Sequence, residues 1–257
     1  MRVNVVTGSA SGIGKATKDL LESRGERVIG VDLHDADVNI TLETTEGRQD
    51  MVDQVTALSD GKIDAIYSIA GVSGQTPLCA SVNYFSMPAT LVGLRPLLLE
   101  SDSPRAVLVS SVMSLFPFDE KLLDAFEKGD EPAARARAAE IGVEDPEGSS
   151  VYNTAKRGVS LWVRRHAISD EWSGRGITLN AVAPGMIHTP LVKDFDTEEG
   201  HKVIDSFLKM PLNGWADPGE VAELMTFLNA PANRHITGQC VFIDGGTDVT
   251  MRGDSTW

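Results

Sequence analysis

The stretch "RVNVVTGSASGIGKATKDLLESRGERVIGVD" (residues 2–32) decides the fold. Its β-branched start predicts a strand over 3–8. Gly8, Gly12 and Gly14 then mark a turn into a helical segment that Gly25 ends. "RVIGVD" (27–32) reads as a second strand closing on Asp32. Glycines at such a junction allow a tight turn and let a pyrophosphate approach the backbone at a helix N-terminus. Free N–H groups and the helix dipole favour an anion there. Glycines also mark ordinary turns, and the spacing here is Gly-x3-Gly-x-Gly rather than Gly-x-Gly-x-x-Gly. The context favours a dinucleotide: strand before, helix after, and Asp32 standing 18 residues beyond Gly14. Ser11 and Ile13, between the glycines, belong to the same turn. A carboxylate at Asp32 accepts hydrogen bonds from a ribose 2′-OH and repels a 2′-phosphate, so the expected cofactor is NAD. The residues that follow, Leu33, His34 and Asp35, include no arginine to reverse that choice.

Working outward, short apolar strands alternate with helical segments. Strands are expected at 63–71, 105–111, 176–185 and 240–246, and helices at 45–59, within 81–100, at 151–172 and at 218–229. Continuously apolar strands alternating with helices predict an α/β, single-domain Rossmann fold. Its doubly wound parallel sheet would have about seven strands, with helices on both faces. Two segments depart from the alternation. Residues 117–148, rich in Ala, Glu, Asp and Arg, read as a helical insertion with "EPAARARAAE" its most helical part. Residues 186–217 mix Pro, Met, Phe and Leu with charges beyond a strand end, and read as a substrate lid.

With 257 residues, 42% hydrophobic and 23% charged, the chain has the composition of an ordinary soluble globular protein, large enough for a substantial core. A net charge of −14 argues against nucleic-acid or anionic-membrane binding. Cys79 and Cys240 lack metal-ligand spacing and sit among apolar neighbours, so buried free thiols are expected and no metal site. A strand starting near residue 2 leaves no room for a signal peptide, and no apolar run reaches membrane length. The expected location is cytoplasmic.

"SSVYNTAKRGVS" (149–160) places Tyr152 four positions before Lys156, on one face of a helix. Taken together, "TGSASGIG", "VLVSS", "YNTAK" and "APGMIHTP" resemble, in this order and over essentially the whole chain, the short-chain dehydrogenase/reductase family. The resemblance implies an NAD-linked oxidoreductase with Tyr152, Lys156, Ser111 and Asn83 as its catalytic set. Tyr152 would act as general acid/base, and Lys156 would hold the nicotinamide ribose. Ser111 would position the substrate oxygen, and Asn83, in "SVNYF", would help hold a relay water. Free tyrosine titrates near 10, too high for an efficient base near neutrality. A nearby ammonium and an oxidised nicotinamide are expected to lower it. Pro184, Gly185, Ile187 and Thr189 would border the nicotinamide, with Ala70 and Gly71 on the adenosine side. His188 reads as incidental.

Departures from the family pattern narrow the expectation. "SIAG" (68–71) replaces the usual Asn-Asn-Ala-Gly, losing an asparagine that steadies the sheet. Thr41, with Leu42 beside it, stands where an acid commonly meets adenine. Ser111 and Tyr152 lie 41 positions apart, far more than in most members. The insert, together with "SVNYF", "SIAG" and "IDGGTDVTMR", resembles a bacterial branch, the 3α-hydroxysteroid dehydrogenase/carbonyl reductases. The implied reaction interconverts a secondary alcohol and a ketone on an apolar cyclic or aromatic small molecule. A homo-oligomer is implied too: a homodimer if the insert obstructs the helices most members use, otherwise a homotetramer. Met186, Leu191, Val192, Phe195, Val203, Ile204, Phe207, Leu208, Met210 and Trp215 are the expected apolar residues of the lid. Two other readings stay open: a dehydrogenase of a smaller alcohol (a monoterpenol, aryl alcohol or ring diol), and a non-catalytic NAD-sensing regulator.

Overall fold

The computed structural model describes residues 1–255. β1 (Val3–Thr7) is a β-branched run buried from Asn4 onward, and it leads into α1 (Gly12–Ser23). That helix ends because Gly25 takes φ +78°. Gly25 N then donates to Glu22 O and Glu26 N to Leu21 O, which satisfies two terminal carbonyls. β2 (Arg27–Asp32), β3 (Val38–Asn39) and α2 (Thr45–Leu58) follow. Thr44 caps α2, its hydroxyl accepting from Gly47 N at 3.0 Å. Next come β4 (Ala65–Ser68), α3 (Pro77–Ala80), a π-helical turn (Ser81–Phe85) and α4 (Ser86–Leu98). β5 (Arg105–Val109) leads through a 3₁₀ turn (Val112–Leu115) to α5 (Glu120–Glu127), α6 (Glu131–Glu144) and α7 (Ser150–His166). The chain closes with β6 (Thr178–Pro184), α8 (Glu198–Phe207), α9 (Pro218–Leu228), β7 (Cys240–Ile243) and α10 (Thr247–Arg252).

All seven strands are parallel, in the order β3-β2-β1-β4-β5-β6-β7. The order reverses between β1 and β4, where the strand ends diverge and open a crevice. Alternate residues feed two cores. Val5, Ile29, Ile66 and Leu108 pack with Met51, Leu91 and Val159 on one face. Val6, Tyr67, Val107 and Val182 pack with Leu21, Val221 and Met225 on the other. This is the doubly wound sheet expected.

Several strands end one to three residues short of the sequence reading, and four differences have a clear physical cause. β4 stops at Ser68 rather than Gly71, because Ile69 N and Ala70 N turn to donate to the Thr7 hydroxyl at 2.9 and 3.1 Å. Thr7 thereby clasps β4 to β1 at the point where "SIAG" lacks its asparagine. The helix expected within 81–100 begins at Pro77 and carries the π-helical turn at 81–85. The helix expected at 151–172 ends at His166, since the chain folds back to bury Trp172 edge-on against Trp162, 6.0 Å between ring centroids. β3, a pair of residues, is too short to leave a periodic signal.

Residues 117–148, read as inserted, form α5 and α6, which lie against α7 and α3. Arg48 on α2 is buried and donates to both carboxylate oxygens of Glu131 on α6, at 2.6 and 2.8 Å. Asp119 N donates to Thr154 Oγ1 at 2.9 Å, and Asn153 Nδ2 donates to Pro117 O at 3.0 Å. At the far end Gln75 Nε2 donates to Asp145 O at 3.1 Å, while its Oε1 accepts from Val151 N at 2.7 Å. Both ends of the segment are therefore tied to α7 or to the loop beside it.

Candidate active site

The C-terminal strand ends open into one cleft of about 960 Å³, which runs from Asp32 and Leu33, past the glycine turn, to the face of α8. Gly8 takes φ +72°, and a Cβ on Gly14 would sit 1.9 Å from Gly8 O. Only a side-chain-free residue lets α1 start so close to the turn. Ser11, the α1 N-cap, makes no side-chain cap, and the first turn holds no acid. The leading amides and positive dipole end of α1 therefore suit an anion, which is the requirement of a pyrophosphate. Asp32 braces the turn: one carboxylate oxygen accepts from Ala10 N at 2.9 Å, the other from Leu33 N at 2.7 Å.

Gly8, Ser11, Gly12, Ile13, Gly14, Asp32, Leu33, Thr41, Leu42, Ala70, Gly71, Pro184, Gly185, Ile187 and Thr189 all border this cleft, as do Ser111, Tyr152 and Lys156. Asn83 lies behind the wall, fully buried in the π-helical turn. Its Oδ1 accepts from Val72 N at 2.9 Å and its Nδ2 donates to Val72 O at 2.7 Å. A Cβ on Gly71 would come within 2.9 Å of that same Oδ1, so the loop closes onto the asparagine only as glycine. π-turns inside helices often mark functional positions because they re-aim one side chain. Here the re-aimed residue is Asn83.

β5 delivers two adjacent serines to the cleft edge in different surroundings. Ser110 is buried against α7, its hydroxyl donating to Lys156 O at 2.9 Å and lying 2.7 Å from Ser160 Oγ. Ser111 borders the cleft beside Tyr152. Its Oγ accepts from Met113 N at 3.1 Å, capping the 3₁₀ turn. Tyr152 and Lys156 project from one face of α7, and Lys156 Nζ donates to Val109 O at 3.0 Å.

Burial governs how both groups titrate. It pushes the Tyr152 phenol up to about 12, against a smaller pull from the Ser111 hydrogen bond. It pulls the Lys156 ammonium down to about 8. The Lys156 nitrogen stands 5.5 Å from the phenol ring centroid. Cys79, beside Asn83 Nδ2 at 3.0 Å, is buried and pushed up to about 12, so it stays a thiol. Cys240 is also a free thiol but only half-buried.

The distal half of the cleft is apolar. Eight of the lid residues expected from sequence border it, from Met186, Leu191, Val192 and Phe195 to Val203, Ile204, Phe207 and Leu208. Met210 and Trp215 do not. Met210 is buried under Gly185 and Gly245, and Trp215 stacks on His201, ring centroids 4.1 Å apart. Sequence reasoning missed Ile40 near the adenosine side and Met113 and Phe116 opposite α8, where Phe116 meets Phe207 edge-on at 6.2 Å. It also missed Glu147, Gly148 and Ser149, at the end of the inserted segment. The 41-residue gap between Ser111 and Tyr152 was the available signal, since it must return the chain to the cleft rim.

Residues 8–248 match a family model described as enoyl-(acyl carrier protein) reductase. The chain is 34% identical to the 3-alpha-hydroxysteroid dehydrogenase/carbonyl reductase of Comamonas testosteroni, with 98% of each chain covered. It is 27% identical to the 3-oxoacyl-[acyl-carrier-protein] reductase FabG of Thermotoga maritima, covering 95% of this chain and 97% of that one. Among solved structures, the 3-alpha-hydroxysteroid dehydrogenase of Pseudomonas sp. B-0831, complexed with NADH, superposes with a TM-score of 0.87. It is 36% identical, with 98% of this chain and 99% of that chain covered.

Proposed function

The chain belongs to the short-chain dehydrogenase/reductase family of oxidoreductases, and from that premise we propose that it interconverts a secondary alcohol and a ketone with NAD(H). The carrying observation is that Ser111, Tyr152 and Lys156 share one cleft with the glycine turn and Asp32. A related protein complexed with NADH supports the cofactor assignment. So does Asp32, whose charge disfavours a 2′-phosphate.

In this reading the turn from Gly8 to Gly14 holds the pyrophosphate, and Asp32 and Leu33 hold the adenosine ribose. Thr41, Leu42, Ala70 and Gly71 flank the adenine side. Pro184, Gly185, Ile187 and Thr189 flank the nicotinamide. When bound, the nicotinamide supplies the hydride acceptor for oxidation and the donor for reduction. Ser111 Oγ hydrogen-bonds the substrate oxygen and fixes its distance from Tyr152. The Tyr152 oxygen takes the alcohol proton in oxidation and returns it in reduction. Lys156 brings positive charge beside that phenol and orients the nicotinamide ribose. Asn83 keeps Val72 and Gly71 in place behind it and helps hold the relay water.

Residues 186–217 act as the lid, and the apolar wall of α8 selects an uncharged cyclic or aromatic alcohol, with a 3α-hydroxysteroid the leading candidate. The placement of α5 against α7 supports a homodimer, because most family members associate through α7 and α4. No helix among the described residues is long and apolar enough to cross a membrane. The deciding assay follows NADH production at mildly alkaline pH with NAD or NADP across androsterone, cyclic terpene alcohols and 1-phenylethanol. Steroid oxidation with NAD supports the reading in full, and turnover of the small alcohols alone replaces its substrate. Cofactor binding with no turnover on any alcohol overturns it in favour of a regulator.

A further inference from the structure

On the outer side of the lid, His188, Asp196 and His201 bring their donor atoms within 4.8 Å of one another. One Asp196 oxygen lies 3.0 Å from His188 Nδ1 and the other 2.8 Å from His201 Nε2. None of the three borders the cleft. They come from three pieces of chain: the segment leaving β6, the loop after the 190–192 turn, and α8. Their side chains are 36, 34 and 36% exposed, so a small ion reaches them from solvent.

The backbone beside His188 is held in place while the side chains keep freedom to turn. His188 N donates to Ala216 O at 3.0 Å, and Ile187 pairs with Ala216 as an isolated bridge. Trp215 then covers both rings, 4.1 Å from His201 and 5.5 Å from His188 between centroids. Two imidazoles and one carboxylate form the donor set of open divalent d-block sites. A neutral imidazole carries one lone pair. Without an ion these nitrogens hydrogen-bond the Asp196 oxygens; protonated instead on its remote nitrogen, each ring would offer that lone pair to an ion beside Asp196. Tetrahedral zinc holds donors about 2.0–2.1 Å from the metal and so about 3.3 Å from one another. Rotation of surface side chains by about an ångström closes the present spread.

We propose that His188, Asp196 and His201 form a zinc-type divalent metal site, the fourth position taken by water. α8 also carries Val203, Ile204 and Phe207 into the cleft wall. An ion bonded to His201 would therefore tie that wall to the exit of β6 and hold the lid against opening.

The test uses the full-length protein without an affinity tag, dialysed free of metal and titrated with zinc alone by equilibrium dialysis. Hydrogen exchange of the α8 amides serves as a second readout. One zinc per chain is expected, with slower α8 exchange when it is bound. Asp196→Asn and His201→Gln should each weaken binding at least tenfold while circular dichroism stays unchanged. Wild-type protein that takes up no stoichiometric zinc, or variants that bind it as tightly, would overturn the site. Neither readout depends on turnover, so the outcome is separate from that of the dehydrogenase reading.

Discussion

Lys156 Nζ lies 5.5 Å from the ring centroid of Tyr152, one turn back on α7, and donates to Val109 O at 3.0 Å. The lysine is 2% exposed. A protonated ammonium so placed is a stability cost, which the fold carries for the benefit of the cleft.

That cost is measurable. A drop from the usual 10.5 to about 8 disfavours the folded cation by on the order of 3 kcal/mol at pH 7. Leaving Val109 O unpaired returns about 1 kcal/mol of it. Lys156→Met should therefore melt about 5 °C above wild type at pH 7, while losing most turnover. Between about pH 8 and 10.5 the unfolded wild-type chain binds the extra proton, so wild-type stability rises with pH and the gap closes. Thermal melts of both proteins across that range test this, and a gap independent of pH would sink it.

Tyr152→Phe keeps the ring and removes the oxygen. Ketone reduction should fall by about 10²- to 10⁴-fold, with NADH affinity, read by its fluorescence, unchanged within about twofold. In the oxidation direction the wild-type rate should climb with alkalinity, because burial holds the phenol neutral up to about 12. A variant that still reduced ketone at the wild-type rate would remove Tyr152 from the mechanism.

Asp32→Asn can keep hydrogen-bond acceptance from Ala10 N, but it gives up that from Leu33 N and loses the charge. Relieving the repulsion toward a 2′-phosphate should raise the NADP-to-NAD ratio of kcat/KM by about tenfold or more. Steady-state rates with both cofactors give the answer. An unchanged ratio means that cofactor choice resides elsewhere.

The Arg48–Glu131 pair joins α6 to α2. Burial alone would raise the Glu131 pKa, but hydrogen bonds from Arg48 and Ser81 hold it below the usual carboxylate range. Glu131→Gln leaves the buried guanidinium without its counter-charge and should cost about 2 kcal/mol, less than a fully buried pair because Glu131 keeps 18% exposure. A folded pKa below the unfolded one means that the contribution is full above the unfolded value and disappears as pH falls through the folded one. Urea melts at pH 7 and in acid should therefore differ between the two proteins at pH 7 and converge in acid.

The fold and the cofactor half of the cleft were legible because their signals are local. A glycine turn, an acid 18 residues on and a Tyr-Lys pair one turn apart each read within a short window. Long-range partners were not. Gln75 reaches Val151 across 76 positions and Thr7 reaches Ile69 across 62, and neither leaves a periodic trace. Trp215 was expected among the apolar residues of the lid, but its ring is taken up by His201 and His188. The burial that raises the Tyr152 phenol was not legible, because proximity is visible in sequence and desolvation is not.

The anchoring of residues 117–148 at both ends also bears on how such a protein can change. Asp119 is fastened to Thr154 and Asp145 to Gln75, which helps locate the start of α7 and Tyr152 with it. The intervening helices give Leu122, Phe126, Ala134 and Ala138 to the core, so it is their outer faces that are free to vary. Evolution or a designer can change those faces, altering the outer surface and the assembly it permits, while the Tyr152 oxygen keeps its address.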